Sequence, residues 1–328
     1  MIVTKTPLRV SFFGGGSDIP QFYNNNEGMV ISTSIDQYIN IAVNNSVNPH
    51  IRIVYSEIEE QYNVEDIQHD RVRELLKYFN IESNIEICSF SNISTKGTGL
   101  GSSSTFTVGL ANALAMHSKN LKLTRKELAE LASYIEIEKC YQPIGKQDQY
   151  AASYGGFNVI KFNKDGVECY PFSSYGGSCM APVYLNEKIQ CFSTRIARKT
   201  SDILQKQVDS LQKGDIVDTT REMVNIAKDA FNKLMSLDID GFGSLLNETW
   251  LLKKKLSPNI TNQYIDEIYE LGMKNGALGG KLLGAGGGYM LFYTTEKYQP
   301  KVAEAMNKAG FHEFKFHFEY EGTKGIKI

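Results

Sequence analysis

The chain opens with a period of two. Residues 8–13 (LRVSFF) and 38–44 (YINIAVN) alternate apolar and polar positions and are rich in β-branched and aromatic side chains, the pattern of half-buried strands; residues 51–55 and 85–90 repeat it. Near residue 104 the period lengthens. TFTVGLANALAMHS places Val108, Ala111, Leu114 and Ala115 on one face and predicts a helix. Thr124, with Glu127 three residues on, reads as a capping box that opens a second helix. That helix turns Leu128, Leu131, Ala132 and Ile135 inward and is expected to end near Pro143. Residues 157–192 return to short strands separated by Gly and Pro. Helical patterns then occupy about 200–213, 215–236, 240–256 and 261–274. Two strands (278–283 and 289–294) flank a glycine run, a helix follows at 299–309, and FHEFKFHFEY predicts a last strand. Strands and helices mixed in one half, with helices first and strands later in the other, predict an α+β protein of two domains, 1–195 and 196–328.

Composition narrows the function classes. The chain has 328 residues, enough for two domains, and a net charge of −2, so no nucleic-acid or membrane partner is implied. The N-terminal apolar stretch is broken by Lys5, Pro7 and Arg9, which excludes a signal peptide or a spanning helix there and makes the cytoplasm the expected compartment. Cys88, Cys140, Cys169, Cys179 and Cys191 show no metal-ligand spacing and are expected as reduced thiols. The pattern leaves the oligomeric state open, a homodimer included.

Glycine carries the candidate chemistry. In KGTGLGSSST (96–105), Gly97, Gly99 and Gly101 alternate between a strand and a helix, and three serines follow where the helix begins. Glycines let the backbone approach a ligand closely, and a helix N-terminus offers free N–H groups suited to phosphate. The segment is neither a Walker A loop nor a complete G-x-G-x-x-G, and a Gly-rich turn with a serine cap is the plainer alternative. GGGSD (14–18) and GAGGG (284–288) are two further clusters, one in each half, and together the three suggest loops converging on one phosphate-rich ligand. Glu136, Glu138 and Asp148 are the acidic candidates for Mg²⁺ binding and for orienting a hydroxyl; a single one alone reads as surface charge.

TPLRVSFFGGGSD, KGTGLGSSST, the glutamate-to-GKQDQ segment and LGAGGGYM resemble, in order and spacing over residues 2–295, the three signature motifs and the catalytic aspartate segment of the GHMP kinase superfamily. The resemblance implies a two-domain α+β architecture, with an N-terminal domain like domain 2 of ribosomal protein S5, a ferredoxin-like C-terminal domain, and ATP between them. It implies ATP phosphates on Lys96, Gly97, Gly99, Leu100, Gly101, Ser102, Ser103 and Ser104. It implies Mg²⁺ on Ser103 and on Glu136, nine residues before Gly145. Asp148 takes the place of the catalytic aspartate, and Arg9 that of the arginine that meets it or the transferred phosphoryl group. Asp18, beside Gly15 and Gly16, falls on the sugar-binding position, and Gly286 and Gly287 would wall the site from the other half. Galactokinases carry Glu-His where this chain has Gly15-Gly16, so galactose-type contacts are not carried over. The chain is most similar to heptose 7-phosphate kinases and fucokinase-type domains. That branch implies ATP-dependent phosphorylation of the anomeric hydroxyl of D-glycero-D-manno-heptose 7-phosphate to the 1,7-bisphosphate, toward GDP-heptose for surface polysaccharide. A fucokinase-like or other sugar 1-kinase is the alternative within the same chemistry. A non-catalytic sugar or ATP sensor is the alternative outside it, disfavoured because Ser103, Glu136 and Asp148 are all present. For a distal phosphate, Arg195, Arg198 and Lys199 precede Thr200 and Ser201 at an expected helix start, and Arg198 matches the heptose-kinase pattern best; a solvated basic helix start is the alternative.

Overall fold

The structure, a computed structural model, describes residues 1–328 except 94–96, 120, 177, 179, 197, 199–200 and 286. The first half comprises β1 (Ile2–Phe13), α1 (Pro20–Tyr23), β2 (Gly28–Asn45), β3 (Ile51–Val54), β4 (Ile58–Gln61), α2 (Asp70–Phe79), β5 (Ile85–Ser91), α3 (Ser102–Lys119), α4 (Arg125–Ser133), α5 (Gln147–Tyr154), β6 (Phe157–Asn163), β7 (Gly166–Pro171), α6 (Met180–Lys188) and β8 (Ile189–Ser193). The second half comprises α7 (Ser201–Lys213), α8 (Val217–Met235), α9 (Ile239–Lys253), α10 (Gln263–Lys274), β9 (Gly279–Leu282), β10 (Tyr289–Tyr293), α11 (Gln299–Lys308), β11 (Phe318–Glu319) and β12 (Lys324–Lys327). This is the α+β arrangement expected from the pattern. No helix among the described residues is long and apolar enough to cross a membrane.

Two sheets organise these elements. In the larger, β2 is the axis: β1 runs antiparallel along one side, and β6, β11 and β5 succeed one another along the other. The β1–β2 register shifts between Pro7 and Leu8, where proline has no N–H to give to a ladder. The smaller sheet has the order β8-β10-β9. β8 ends just before residue 195 yet belongs to this smaller sheet, while β11 and β12, at the chain's end, join the larger one. The sheets therefore do not divide the chain at a single residue.

The helical faces expected from the sequence are buried. Val108, Ala111, Leu114 and Ala115 are enclosed on α3, and Leu128, Leu131, Ala132 and Ile135 on α4 and the turn beyond it. The Thr124–Glu127 capping box is formed in both directions. Two helices, α5 and α6, carry no clear periodic signal; α2 is not among the expected elements although Val72, Leu75, Leu76 and Phe79 form one buried helical face. The second helix also differs from expectation. α4 stops at Ser133, and residues Tyr134–Lys139 continue as a π-helix, whose wider turn carries both Ile135 and Glu136 inward. FHEFKFHFEY is not one strand. It meets β8 at a single bridge, Phe192 to Glu313, and pairs with β2 at Phe318–Glu319, next to the His317–Asp36 hydrogen bonds, so its alternation serves two sheets in turn. Among the described cysteines, Cys88, Cys140, Cys169 and Cys191 are free; Cys179 lies outside the described residues.

An aromatic cluster joins the halves. Phe12 on β1, fully buried, packs on Phe157 of β6 at 5.7 Å, Phe242 of α9 at 5.6 Å and Phe318 of β11 at 6.1 Å between ring centroids. Its truncation leaves a cavity between the larger sheet and α9. Phe12→Ala is expected to lower stability by about 3–5 kcal/mol, measured by urea denaturation, with unfolding monitored by tryptophan emission from Trp250 in α9 and by far-UV circular dichroism shifting together.

Candidate active site

One cavity of about 290 Å³ is lined from both halves of the chain. β1 and the GGGSD turn contribute Arg9, Ser11, Gly15, Gly16 and Asp18; the loop into α3 contributes Gly97, Gly99, Gly101, Ser102, Ser103 and Ser104; Gln147 and Asp148 come from the start of α5. α7, α8, α9 and β9 supply the facing wall, including Gln207, Met223, Lys253 and Lys281.

Arg9 anchors the arrangement. Its Nε donates to Asp148 Oδ1 at 2.7 Å and its Nη2 to Oδ2 at 2.8 Å, a two-point contact that fixes the carboxylate's orientation. Its Nη1 donates to the Gly99 carbonyl at 2.6 Å, and its backbone N–H to the Leu100 carbonyl at 3.0 Å. The expected arginine–aspartate pair is thus formed and tied to the glycine loop. Gly97, Gly99 and Gly101 all have positive φ (68°, 75° and 76°), which explains glycine at alternate positions. A Cβ on Gly99 would lie 2.2 Å from the Leu283 carbonyl oxygen, and one on Gly284 would lie 2.4 Å from Gly99 Cα. The second and third glycine clusters are in backbone contact and close the same cavity.

Asp18 is buried, with Oδ1 accepting from Gly16 N–H at 2.9 Å and Oδ2 from Gln147 N–H at 3.2 Å. Burial pushes its carboxyl above the usual range, the Asp148 charge adds to this, and the two N–H bonds partly offset it. Ser102, Ser103 and Ser104 line the cavity where α3 begins, with the first-turn N–H groups that no helix satisfies internally. Leu100 is buried behind the loop.

Several expected residues lie elsewhere. Glu136 is fully buried and does not line the cavity: Arg71 Nε holds Oε1 at 2.7 Å and Gln149 Nε2 holds Oε2 at 2.6 Å. A guanidinium thus sits where a cation ligand was expected to be open. Arg198 is also away from the lining. Its Nη1 and Nη2 donate to the carbonyls of Asn259 and Ile260, at 3.0 and 3.2 Å. Arg195 turns to His312 at 3.2 Å. Gly287 does not line the cavity; a Cβ there would lie 2.9 Å from the Ile196 carbonyl oxygen. Lys96, Lys199, Thr200 and Gly286 lie outside the described residues.

The site also holds cations that sequence reasoning missed. Lys281 is buried and donates to the carbonyls of Ser11 and Phe12 at 2.9 and 2.7 Å, so β9 reaches across to β1. Lys253, at the end of α9, donates to the carbonyls of Leu282 (2.8 Å) and Gly284. Desolvation lowers both amines; Lys253 falls to about 7, with the Arg9 charge adding to the effect. Lys253 sits in a KKK run that reads as a solvated helix face. Lys281 had one available signal, a lone lysine among small and apolar residues in GGKLLGAGGG. With glycine-loop and helix-start amides on one side and two lysines on the other, the cavity suits a polyphosphate such as that of ATP. For a hard cation, the lining offers the Ser103 hydroxyl and the carboxylates of Asp18 and Asp148; among the described residues no group of three or more His, Cys, Asp or Glu could hold a metal.

Comparison with known proteins identifies the family. Residues 55–156 match the family model for the GHMP kinases N terminal domain, and residues 227–312 the model for the GHMP kinases C terminal. The chain is 30% identical over 346 aligned positions to the D-glycero-alpha-D-manno-heptose 7-phosphate kinase of Campylobacter jejuni, spanning 100% of this chain and 99% of that one. It is 24% identical to the bifunctional fucokinase/GDP-fucose pyrophosphorylase of Arabidopsis thaliana, over 87% of this chain and 29% of that one. Its fold superposes on a crystal structure of a D-glycero-D-manno-heptose 1-phosphate kinase from Bacteroides thetaiotaomicron with a TM-score of 0.81, at 22% identity, covering 100% and 99% of the two chains.

The lowered Lys253 amine has a measurable sign. Between about pH 7 and its unfolded value, the unfolded chain holds a proton that the folded chain lacks, so folded-state stability gains as pH rises through this window and is lowest below pH 7, where the amine is charged in both states. Relative to Lys253→Met, the wild type is expected to gain at most about 1.4 kcal/mol per pH unit between pH 7 and 9, read from paired urea unfolding curves. A pH-independent difference between the two proteins would show that the amine stays charged throughout.

Proposed function

The chain belongs to the GHMP kinase family, an ATP-dependent phosphotransferase with an alcohol group as acceptor, and from that premise we propose that it phosphorylates the anomeric hydroxyl of a sugar phosphate, D-glycero-D-manno-heptose 7-phosphate. One observation carries the reading: the Arg9–Asp148 pair faces the same cavity as the 97–104 loop on one side and Asp18, beside Gly15 and Gly16, on the other. In this reading the carboxylate serves both a phosphate-type loop and a polar pocket. The full-length similarity to the Campylobacter jejuni heptose 7-phosphate kinase supports the choice of sugar.

In this mechanism the 97–104 loop and the first turn of α3 hold the phosphates of ATP, and Lys253 and Lys281 balance their charge from the facing wall. Asp148 receives or aligns the proton of the acceptor hydroxyl. The hydroxyl oxygen forms its bond to the γ-phosphorus as the bond to the ADP oxygen breaks. Arg9 keeps both carboxylate oxygens in register and stabilises charge as the phosphoryl group moves. Asp18 anchors the sugar through its hydroxyls. Mg²⁺, when bound with the nucleotide, neutralises phosphate charge, and Ser103 is the residue that would hold it. Glu136 would join Ser103 only by exchanging Arg71; its present contacts make it a positioning residue for Gln149 and thus for the start of α5. Arg198, engaged by the carbonyls of Asn259 and Ile260, has no part in this mechanism.

Two outcomes test the proposal. Asp148→Asn should reduce turnover by about 10²–10⁴-fold while calorimetry shows ATP affinity and a melt shows stability close to wild type; a variant keeping more than half of wild-type turnover removes Asp148 from the reaction. A panel of sugars and sugar phosphates, followed by ADP release and by ³¹P NMR of the product, should favour heptose 7-phosphate over free heptose, fucose or galactose, with the new phosphorus signal at the anomeric carbon. Equal turnover of phosphorylated and free sugars would replace the heptose assignment with a fucokinase-like one.

A further inference from the structure

Three buried polar atoms in the cavity have no hydrogen-bond partner among the described residues: Ser11 Oγ, Gln147 Oε1 and Gln207 Nε2. Burying such groups unpaired is unfavourable, so their presence in a cavity wall marks contacts that a ligand completes. Gln207 is the most informative. It lies on α7, far along the chain from the GGGSD turn, and is only 5% exposed. A Cβ on Gly16 would lie 2.4 Å from its Nε2 and 3.7 Å from Leu256 Cδ1. Gly16 has φ +101°, a conformation that side chains rarely adopt. On the adjacent residue, a Cβ on Gly15 would lie 3.6 Å from Gln147 Nε2. Gly16 therefore leaves room that the Gln207 amide fills, while the Gln147 amide, from the other half of the chain, lies at ordinary contact distance from a Cβ on Gly15.

We infer that Gln207 and Gln147 form an amide pair over Gly15-Gly16 that reads hydroxyl groups of the acceptor next to Asp18, so that acceptor selection in this chain is made by a residue of α7 reaching over the first glycine turn. The inference rests on the sugar-kinase reading above. The chemistry defines the ligand class. An amide both donates and accepts, as does a hydroxyl, and Asp18 with Gly16 N–H and Gln147 N–H already satisfies part of its own capacity. Neutral amides beside a carboxylate suit a neutral polyol segment and disfavour a carboxylate-bearing acceptor. Leu256 and Leu204 complete the wall with apolar surface, suited to the C–H face of a sugar ring. Loss of a side chain at position 16 and gain of an amide from α7 are then two aspects of one arrangement. A bulky residue at position 16 would displace Gln207 rather than add to it.

The test compares wild type, Gln207→Met and Gly16→Ala on heptose 7-phosphate and on its 2-, 3- and 4-deoxy analogues, measuring kcat/KM for the sugar and KM for ATP. Methionine conserves volume at a buried helix position, and melting curves verify that both variants are folded. Wild type should lose about 3- to 10-fold on at least one deoxy analogue. Gln207→Met should lose a similar factor on the parent sugar and no further factor on that analogue, the non-additivity expected when one contact has been removed twice. Gly16→Ala should reproduce this, and KM for ATP should stay within about 2-fold in both variants. If Gln207→Met and Gly16→Ala discriminate among the analogues as wild type does, the amide pair does not read the acceptor and the inference falls, with the kinase reading intact. If wild type phosphorylates none of the sugars, the sugar reading fails and the inference falls with it.

Discussion

The structure depends on where Arg9 is held. One guanidinium reaches both oxygens of Asp148 and the carbonyl of Gly99, while its own N–H reaches the carbonyl of Leu100. A strand, a glycine loop and the start of a helix are thereby fixed to one side chain. Only a planar fork with several donors can do this; a lysine would supply one point charge and leave the carboxylate free to rotate. The β1–β2 ladder is irregular on either side of this residue, at Pro7/Leu8 and Ser11/Phe13, so the strand bends where Arg9 leaves it.

Around that anchor the two halves are held together by backbone proximity and by buried charge. Gly99 and Gly284 meet closely enough that neither tolerates a side chain, and Lys281 spans from β9 to the carbonyls of β1. Lys253 orders the backbone on either side of Leu283. Carbonyl dipoles offset only part of the cost of enclosing two ammonium groups near Arg9. In the proposed mechanism a polyphosphate supplies the missing negative charge. Ligand binding and association of the two halves are thus expected to reinforce each other, because the same lysines serve both. Phe12 supports this from below, packing elements of both halves into one core.

Much of this was legible in the chain. The period-two segments became β1, β2, β3 and β5. The 3.6-period segments of the second half became α7 to α11, within a few residues, because each buries a single apolar stripe. The Thr124–Glu127 box formed because its partners are local. α5 and α6 were harder to see. α5, QDQYAASY, is polar or small along its length and has no clear stripe, since its neighbours bury it on several sides. The pairing of Arg9 with Asp148 followed from the motif resemblance, whereas the burial of Glu136 against Arg71 could not, because the two lie 65 positions apart and no local pattern says which carboxylate an arginine meets.

The amino-acid order alone determined the α+β class, most element positions, the three glycine loops and the candidacy of Arg9, Asp18, Ser103 and Asp148, because these depend on spacing along the chain and on what each residue type can do. Tertiary structure alone decided that β8, β11 and β12 cross between the halves, that Glu136 and Arg198 turn away from the cavity, and that Lys253, Lys281 and Gln207 turn into it. These are contacts between residues tens to hundreds of positions apart. A lysine in a KKK run or a glutamine in an amphipathic helix carries the same local signature whether it faces water or a ligand. Only the packing of the second-half helices against the first glycine turn separates the two.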